Sequence, residues 1–247
     1  TLVEDAENEF YRKYISQVYT GREDTEEKFQ RFIRQDKYRC YVVTGKAGKG
    51  KTSLLCHLAT SLMDMKGSHL PILINSPELN LEQDTLVQVI LRQLDINTGG
   101  DIETFEALGR ILGEQHAQLV VFIDAINELH GQRVFENFNH QFDELLKLIN
   151  RHNYPVLFCI SCRSEFWPQF SANSWWTHHA IFGPTGVDQP THFLDRFSRD
   201  EIEQVVGAGV DLIQVFDLLF WQQPLGFSAY DAGETDDGVE RRAQFVA

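Results

Sequence analysis

The segment GKAGKGKTS, which runs from Gly45 to Ser53, decides the fold expected for this chain. Gly45, Gly50, Lys51 and Thr52 fill the fixed positions of the phosphate-binding pattern G-x-x-x-x-G-K-[ST]. In such a loop the backbone N–H groups curl around phosphate oxygens at the start of a helix, whose dipole also favours anions. The lysine reaches the β- and γ-phosphates, and the hydroxyl after it binds Mg²⁺. We therefore expect a nucleoside triphosphate to contact Gly45, Lys46, Ala47, Gly48, Lys49, Gly50, Lys51, Thr52 and Ser53.

The residues on either side of this loop match the structural context that the pattern requires. Cys40–Thr44, with the sequence CYVVT, is typical of a buried strand. From Ser53 to Ala59 the apolar residues recur at helical spacing. An ordinary Gly/Lys-rich turn is the alternative, but the combination of strand, glycine loop and helix favours a phosphate site.

A second segment supplies the carboxylates that nucleotide hydrolysis requires. Gln118–Asp124, with the sequence QLVVFID, is a nearly continuous apolar run that ends in an acid, as expected for a buried parallel strand. Asp124 would lie at the end of the strand where ligands of open α/β sheets bind, and we expect it to bind Mg²⁺ together with Thr52. Glu128, four residues later, is placed to polarise an attacking water. The alternatives are a plain strand-end turn and a solvated loop carboxylate.

A third segment, Tyr154–Arg163, is another predicted buried strand, and it ends in a cation. An arginine at this end of a central strand can contact the γ-phosphate and so report its presence. The alternative is a surface ion pair between Arg163 and Glu165.

These three segments, in this order, resemble the STAND branch of the P-loop ATPases, close to the NACHT and AAA+ groups. IDAINEL, Ile123 to Leu129, is similar to that family's second signature, in which a Mg²⁺-binding Asp precedes a small residue, a hydrophobic residue and acids. Cys162–Ser164 resembles its sensor-arginine segment. Tyr19–Glu23 resembles the short "GRE" element that precedes the phosphate loop and contacts nucleotide. Phe193–Ile202 and Gln223–Leu225 resemble the entry to the helical lid and the lid's proline segment.

The resemblance covers about residues 19–226 and implies a fold. It implies a three-layer α/β/α P-loop NTPase with a parallel sheet of about five strands and a partial helical lid. The strand that carries Arg163 would lie between the strands that carry the phosphate loop and Asp124. The resemblance also implies that Arg22 and Pro224 contact the nucleotide, with Pro224 near the adenine.

The same resemblance implies ATP or ADP and Mg²⁺ as cofactors. Lys51, Glu128 and Arg163 are the implied catalytic residues: a phosphate-neutralising cation, a water-orienting base and a γ-phosphate sensor. Asn127 stands where many NACHT members carry an acid, so we expect slow hydrolysis. Because STAND proteins act as switches, hydrolysis would reset a signalling state. The expected partners are the nucleotide and either further copies of the chain or effector and sensor domains outside this sequence.

The net charge, the apolar runs and the spacing of cysteines and histidines argue against several kinds of partner and of metal site. The net charge of −14 argues against a nucleic-acid backbone as the main partner. No apolar run approaches the roughly 18 residues of a membrane span and no signal peptide is visible, so we expect a cytoplasmic protein without membrane contact. Cys159 and Cys162 have C-x-x-C spacing, but residues three apart on a strand face opposite sides, which disfavours a metal site. We interpret Trp175–His179 as a partly buried aromatic patch, since adjacent histidines point apart.

The pattern along the chain predicts four regions. Residues 1–20 are an N-terminal helix or linker, with an acidic amphipathic helix over 4–18. Residues 21–190 form the P-loop NTPase core, and 191–227 begin the helical lid. Residues 228–247 lose all periodicity and are expected to be disordered or aberrant. Within the core, further helices are predicted over 84–94, over 103–116 and around the apolar series Phe135, Phe138, Phe142, Leu145 and Ile149.

Two other functions remain open at this point. One is an AAA+ remodelling or loading ATPase, which needs an arginine offered by a neighbouring subunit. The other is a nucleotide-binding scaffold without turnover, or a P-loop kinase. A kinase would use its acid on an acceptor substrate, and the Asp124–Glu128 spacing together with Arg163 argues against it.

Overall fold

The computed structural model describes residues 19, 21–65, 68–76, 79–96, 101–129, 132–171, 174–183 and 191–195. The predicted helix over 4–18, Pro224 and the predicted tail over 228–247 lie outside the described residues. Among the helices of the described ranges, none is both long enough and apolar enough to cross a bilayer.

One or two helices separate successive strands along the described chain, and we number the elements in chain order. The strands are β1 (Cys40–Gly45), β2 (His69–Asn75), β3 (Gln118–Asp124), β4 (Val156–Arg163) and β5 (His192–Leu194). The helices are α1 (Glu23–Arg34), α2 (Lys51–Asp64), α3 (Leu86–Gln93), α4 (Ile102–Glu114), α5 (Gln132–His152), α6 (Trp167–Ser171) and α7 (Trp175–His179).

The strands form one sheet of five with the order β2-β3-β4-β1-β5, and all the pairings are parallel. This confirms the predicted fold class and the predicted place of β4 between β1 and β3. Gly45 is paired with Arg163 across β1 and β4, and Asn75 with Asp124 across β2 and β3. Because parallel strands end at the same edge, the phosphate loop, Asp124 and Arg163 emerge side by side.

Helices cover both faces of this sheet, because its central strands are apolar on both sides. On one face, α1 and α2 pack on a cluster that includes Tyr41 and Val43. On the other face, α3 to α7 pack on a larger cluster that includes Cys40 and Val42. Alternate residues of β1 thus enter opposite cores, as the period of a strand requires.

The four cysteines, Cys40, Cys56, Cys159 and Cys162, are all free and buried. Cys159 lies in the α1/α2 cluster and Cys162 in the α3–α7 cluster. Their side chains therefore face opposite sides of β4, as predicted from the C-x-x-C spacing. No group of three or more potential metal-ligating side chains occurs within the ranges that the structure describes.

The helices predicted over 84–94 and 103–116 are α3 and α4, with boundaries that agree to within two residues. The start of β4 differs from its predicted position for a local reason. Asn153 has a left-handed φ of 51°. The Tyr154 N–H donates to the Ile149 carbonyl at 3.0 Å, which closes the end of α5. Tyr154 then packs so closely on Gly109 that a Cβ there would lie 2.5 Å from its ring. The strand accordingly begins at Val156, two residues after the predicted start.

Trp175–His179 forms the short helix α7 and has a packing role. The Trp176 side chain is fully buried and meets the Phe142 ring edge-on at 5.0 Å between centroids. The Asp143 carboxylate accepts hydrogen bonds from the backbone N–H groups of Trp175 and Trp176, at 3.3 and 2.8 Å. Asp143 therefore fixes the start of α7.

Candidate nucleotide-binding site

The phosphate loop has the backbone shape that its glycines make possible. Gly48 and Gly50 have φ values of 71° and 79°, in the left-handed region that disfavours a Cβ. Gly50 is also the N-cap of α2 and provides no side-chain cap for the helix. Gly45 lies against β5, where a Cβ would come within 2.7 Å of the Leu194 carbonyl oxygen. The loop therefore presents backbone N–H groups and a positive dipole end to an anion, which fits a phosphate.

Lys51 is folded over the inside of this loop. Its Nζ donates to the carbonyl oxygens of Gly45 and Lys46 at 2.9 and 2.8 Å. Burial lowers the pKa of Lys51, while the nearby Asp124 carboxylate raises it and the Arg163 guanidinium lowers it further. The ammonium group is thus held at the loop within the electrostatic range of both Asp124 and Arg163.

Thr52 and Asp124 meet across the edge of the sheet. The Thr52 hydroxyl donates to Asp124 Oδ2 at 2.7 Å, although the two residues are 72 positions apart. Asp124 is only 3% exposed, and its other carboxylate oxygen accepts a hydrogen bond from the Ser161 hydroxyl. A hydroxyl and a carboxylate are hard oxygen donors of the kind that Mg²⁺ prefers. These two side chains therefore fit the predicted magnesium ion.

Glu128 is carried by a sharp turn directly after β3. Ala125 has a left-handed φ of 56°, and a single 3-10 turn, Ile126–Glu128, follows it. The Glu128 N–H donates to the Ala125 carbonyl at 2.7 Å. This turn brings the carboxylate back over the sheet edge, where it stays 45% exposed. An exposed carboxylate at this place can accept a hydrogen bond from water.

Arg163 points toward the same acid. Its Nη2 lies 3.8 Å from Glu128 Oε1, and the arginine side chain is 40% exposed. The ion pair of Arg163 is thus with Glu128, whereas the alternative interpretation of the sequence named Glu165 as its partner. Both groups of the pair are solvated, so the ion pair is worth only about 0–1 kcal/mol.

Arg22, in the "GRE" element, reaches the phosphate loop. Its Nη2 donates to the carbonyl oxygens of Lys49 and Asp195, at 3.5 and 3.3 Å. Glu26 supports this position, because its Oε1 accepts from the Arg22 N–H at 2.9 Å and from the Tyr19 hydroxyl at 3.1 Å. The Tyr19 ring in turn stacks on His57 of α2, with 3.9 Å between centroids. Arg22 thus joins the phosphate loop to the end of β5.

Sequence reasoning missed two polar residues that organise the site, Glu26 and Ser161, and it noted Asn127 only as a departure from the family pattern. Ser161 is fully buried, and its hydroxyl accepts from the Ala125 N–H at 2.8 Å while it donates to Asp124. Asn127 Oδ1 accepts from the Arg163 N–H at 2.9 Å. A polar residue inside the apolar run of β4, two positions before Arg163, was the signal for Ser161.

Comparison with known protein families matches residues 39–205 to the NACHT domain. The chain belongs to the NACHT family. It is thereby a P-loop NTPase domain, a class that binds nucleotide. No curated protein matches the sequence at a significant level.

Solved structures that share the fold are AAA+ ATPases. A chain of the Drosophila ORC bound to DNA aligns with a TM-score of 0.53 at 15% identity, over 82% of this NACHT chain and 50% of that chain. A chain of the E. coli MS115-1 HORMA:CdnC:Trip13 complex aligns with a TM-score of 0.50 at 11% identity, over 91% of this chain and 80% of that chain. The NACHT chain thus spans about half the length of the ORC chain. At these identities the likeness shows the fold alone.

Proposed function

We propose that this NACHT domain is the ATP-binding and slowly ATP-hydrolysing switch module of a STAND-like signalling protein. The observation that carries the proposal is the meeting of two pairs at one sheet edge. The Thr52 hydroxyl lies 2.7 Å from Asp124 Oδ2 beside the phosphate loop. Arg163 Nη2, at the end of β4, lies 3.8 Å from Glu128 Oε1, on the turn after β3. Lys51 and Arg163 supply two cations. Thr52 and Asp124 supply a metal site, and Glu128 supplies a base.

Each residue has a separate task in this proposal. The loop from Gly45 to Ser53 holds the phosphates through its backbone, and Lys51 neutralises them. Thr52 and Asp124 hold Mg²⁺, which supplies further charge neutralisation when bound. Glu128 accepts a hydrogen bond from the attacking water and so orients it in line. Arg163 contacts the γ-phosphate, because a weak, solvated ion pair with Glu128 is easily exchanged for a charge-assisted bond to phosphate.

The regions around the site are assigned by the same proposal. Residues 21–190 are the catalytic core, and 191–227 begin a lid in which Pro224 lies near the adenine. A switch needs other domains or further copies of the chain as partners, since the nucleotide state has to be read by something. We infer that hydrolysis resets the signalling state, and that the domain acts in the cytoplasm.

A steady-state ATPase assay with Mg²⁺ tests this function. We expect slow phosphate release from ATP that does not depend on added acceptor molecules, with GTP run in parallel to establish the preferred base. Phosphate transfer to an acceptor would instead identify a kinase, and binding without release would identify a scaffold. A rate per chain that rises with chain concentration would favour a site shared between subunits, as in a remodelling ATPase.

The Asp124→Asn variant tests the metal site. The amide keeps the shape of the carboxylate but loses the charge that Mg²⁺ requires, so we expect the Mg²⁺-dependent part of ATP affinity to disappear. Binding measured by calorimetry with Mg²⁺ and with EDTA should then give the same dissociation constant. Asp101→Asn, which changes an exposed carboxylate at the start of α4, is the control and should keep the difference. A full Mg²⁺ effect in Asp124→Asn would move the metal site elsewhere.

The Arg163→Ala variant tests the γ-phosphate contact. A charge-assisted hydrogen bond is worth roughly 1.5–3 kcal/mol, so the preference for ATP over ADP should fall about ten- to a hundredfold. The affinity for ADP should change little, because ADP lacks the group that Arg163 contacts. Fluorescence titration with both nucleotides measures the ratio. Equal weakening of ATP and ADP would reduce Arg163 to a structural role.

A further inference from the structure

The turn that carries Glu128 is attached to β4 by side chains. The ladder between β3 and β4 ends at the pair Ile123 and Ile160. Beyond it, the Ala125 N–H donates to Ser161 Oγ at 2.8 Å, and the Arg163 N–H donates to Asn127 Oδ1 at 2.9 Å. These two hydrogen bonds continue the connection between the strands after their backbone pairing has stopped.

The backbone at the end of β4 also borders the phosphate loop on its other side. Arg163 is paired with Gly45 across β1, and the Ser164 N–H donates to the Gly45 carbonyl at 3.2 Å. The bond to Asn127 therefore lies on a short path of contacts from the phosphate loop to the base: Gly45, Arg163, Asn127 and then Glu128. Asn127 is adjacent to Glu128 in the chain, so its bond to the Arg163 N–H attaches to β4 the turn from which the Glu128 side chain extends.

We propose that Asn127 is a positioning residue for hydrolysis, which holds Glu128 at a fixed place relative to Arg163 and the phosphate loop. This inference rests on the proposed ATPase function. The task needs a hydrogen-bond acceptor and no charge, because the donor is a neutral backbone N–H. Asparagine and aspartate both provide that acceptor. The absence of an acid at position 127 is therefore compatible with catalysis.

Variants at position 127 test this role, because a positioning residue affects kcat and leaves ATP affinity nearly unchanged. In Asn127→Ala the turn loses its attachment to Arg163, and we expect kcat to fall about tenfold or more, as small displacements of catalytic groups do. ATP affinity should stay within about threefold, since the phosphate loop, Lys51 and Asp124 are unchanged. Asn127→Asp keeps the acceptor and should restore kcat to within about threefold of the original chain.

Asn139→Ala is a matched control. Asn139 Oδ1 also accepts one hydrogen bond, from the Trp176 indole N–H at 3.2 Å, but it lies on α5 and outside the site. Its removal should lower Tm about as much as Asn127→Ala does, with kcat unchanged. A purely structural role for Asn127 predicts that the two variants behave alike.

Three outcomes would overturn the inference. The first is a folded Asn127→Ala variant with the original kcat, and the second is an Asn127→Asp variant as slow as Asn127→Ala at equal Tm. If Asn127→Ala does not fold, Asn127→Ser replaces it in the experiment, because the serine hydroxyl is too short to reach the Arg163 N–H. An Asn127→Ser variant with the kcat of the original chain would also overturn the inference. The third is the absence of ATP turnover in the unmodified chain. That result would overturn the proposed function as well, whereas the first two outcomes leave the proposed function intact.

Discussion

Replacing Lys51 with alanine is expected to abolish nucleotide binding. The Nζ atom is held at the phosphate loop by the Gly45 and Lys46 carbonyl oxygens, so the cation is already in place when phosphates arrive. A charge-assisted hydrogen bond to phosphate is worth roughly 1.5–3 kcal/mol, and removing two of them lowers affinity on the order of 10²- to 10⁴-fold. Isothermal calorimetry with ATP and with ADP measures this decrease.

A matched control for this experiment is Lys147→Ala. Lys147 pairs with Glu144 at 2.9 Å on the exposed surface of α5, so the variant changes the net charge of the protein equally without touching the loop. Its affinities should equal those of the original chain. If Lys51→Ala binds ATP as tightly as Lys147→Ala, the segment from Gly45 to Ser53 is not the nucleotide site.

The Glu128→Gln variant is expected to stop turnover and to keep ATP and Mg²⁺ bound. The amide still forms a hydrogen bond but is a poor base, and loss of a general base costs typically 10²- to 10⁴-fold in rate. The Glu128 carboxylate is well exposed, and its partner Arg163 can still contact phosphate, so binding should not suffer. Single-turnover phosphate release, together with equilibrium binding of ATP, separates the two effects.

Glu165→Gln is the control for the choice of base. Glu165 follows β4 closely and acts electrostatically on Lys51, but its Oε2 accepts a hydrogen bond from the Ser164 hydroxyl and it lies off the turn after β3. We expect turnover close to that of the original chain. A slow Glu165→Gln variant beside an active Glu128→Gln variant would transfer the role of base to Glu165.

The strands of the sheet could be predicted because their causes are local, and the position of the Arg163 strand in the sheet was implied by the family resemblance. The glycine pattern, the apolar runs of β3 and β4, and the series from Phe135 to Ile149 each express a periodicity within one segment. Parallel strands then place the end of every strand at one edge. This geometric rule, together with the strand order that the family resemblance implies, predicts that Thr52, Asp124 and Arg163 lie close to one another.

The supporting contacts could not be predicted, since they depend on register and on side-chain direction between distant segments. The bond from the Arg163 N–H to Asn127 spans 36 positions and exists only because a left-handed residue, Ala125, reverses the chain. The bonds from Arg22 to the carbonyl oxygens of Lys49 and Asp195 span 27 and 173 positions, and they depend in the same way on how the segment before α1 lies against the phosphate loop. A pattern of residue types contains no information about such angles.

The contacts of Arg22 have a consequence for how this domain can evolve. Arg22 binds the main chain of Lys49 and Asp195, and a main-chain oxygen is present whichever amino acid occupies either position. Mutations at 49 and 195 can therefore leave these two hydrogen bonds of Arg22 in place. The whole constraint falls on Arg22, because no shorter side chain spans the gap. Among descendants of this gene, these contacts should keep position 22 an arginine whichever residues occupy positions 49 and 195.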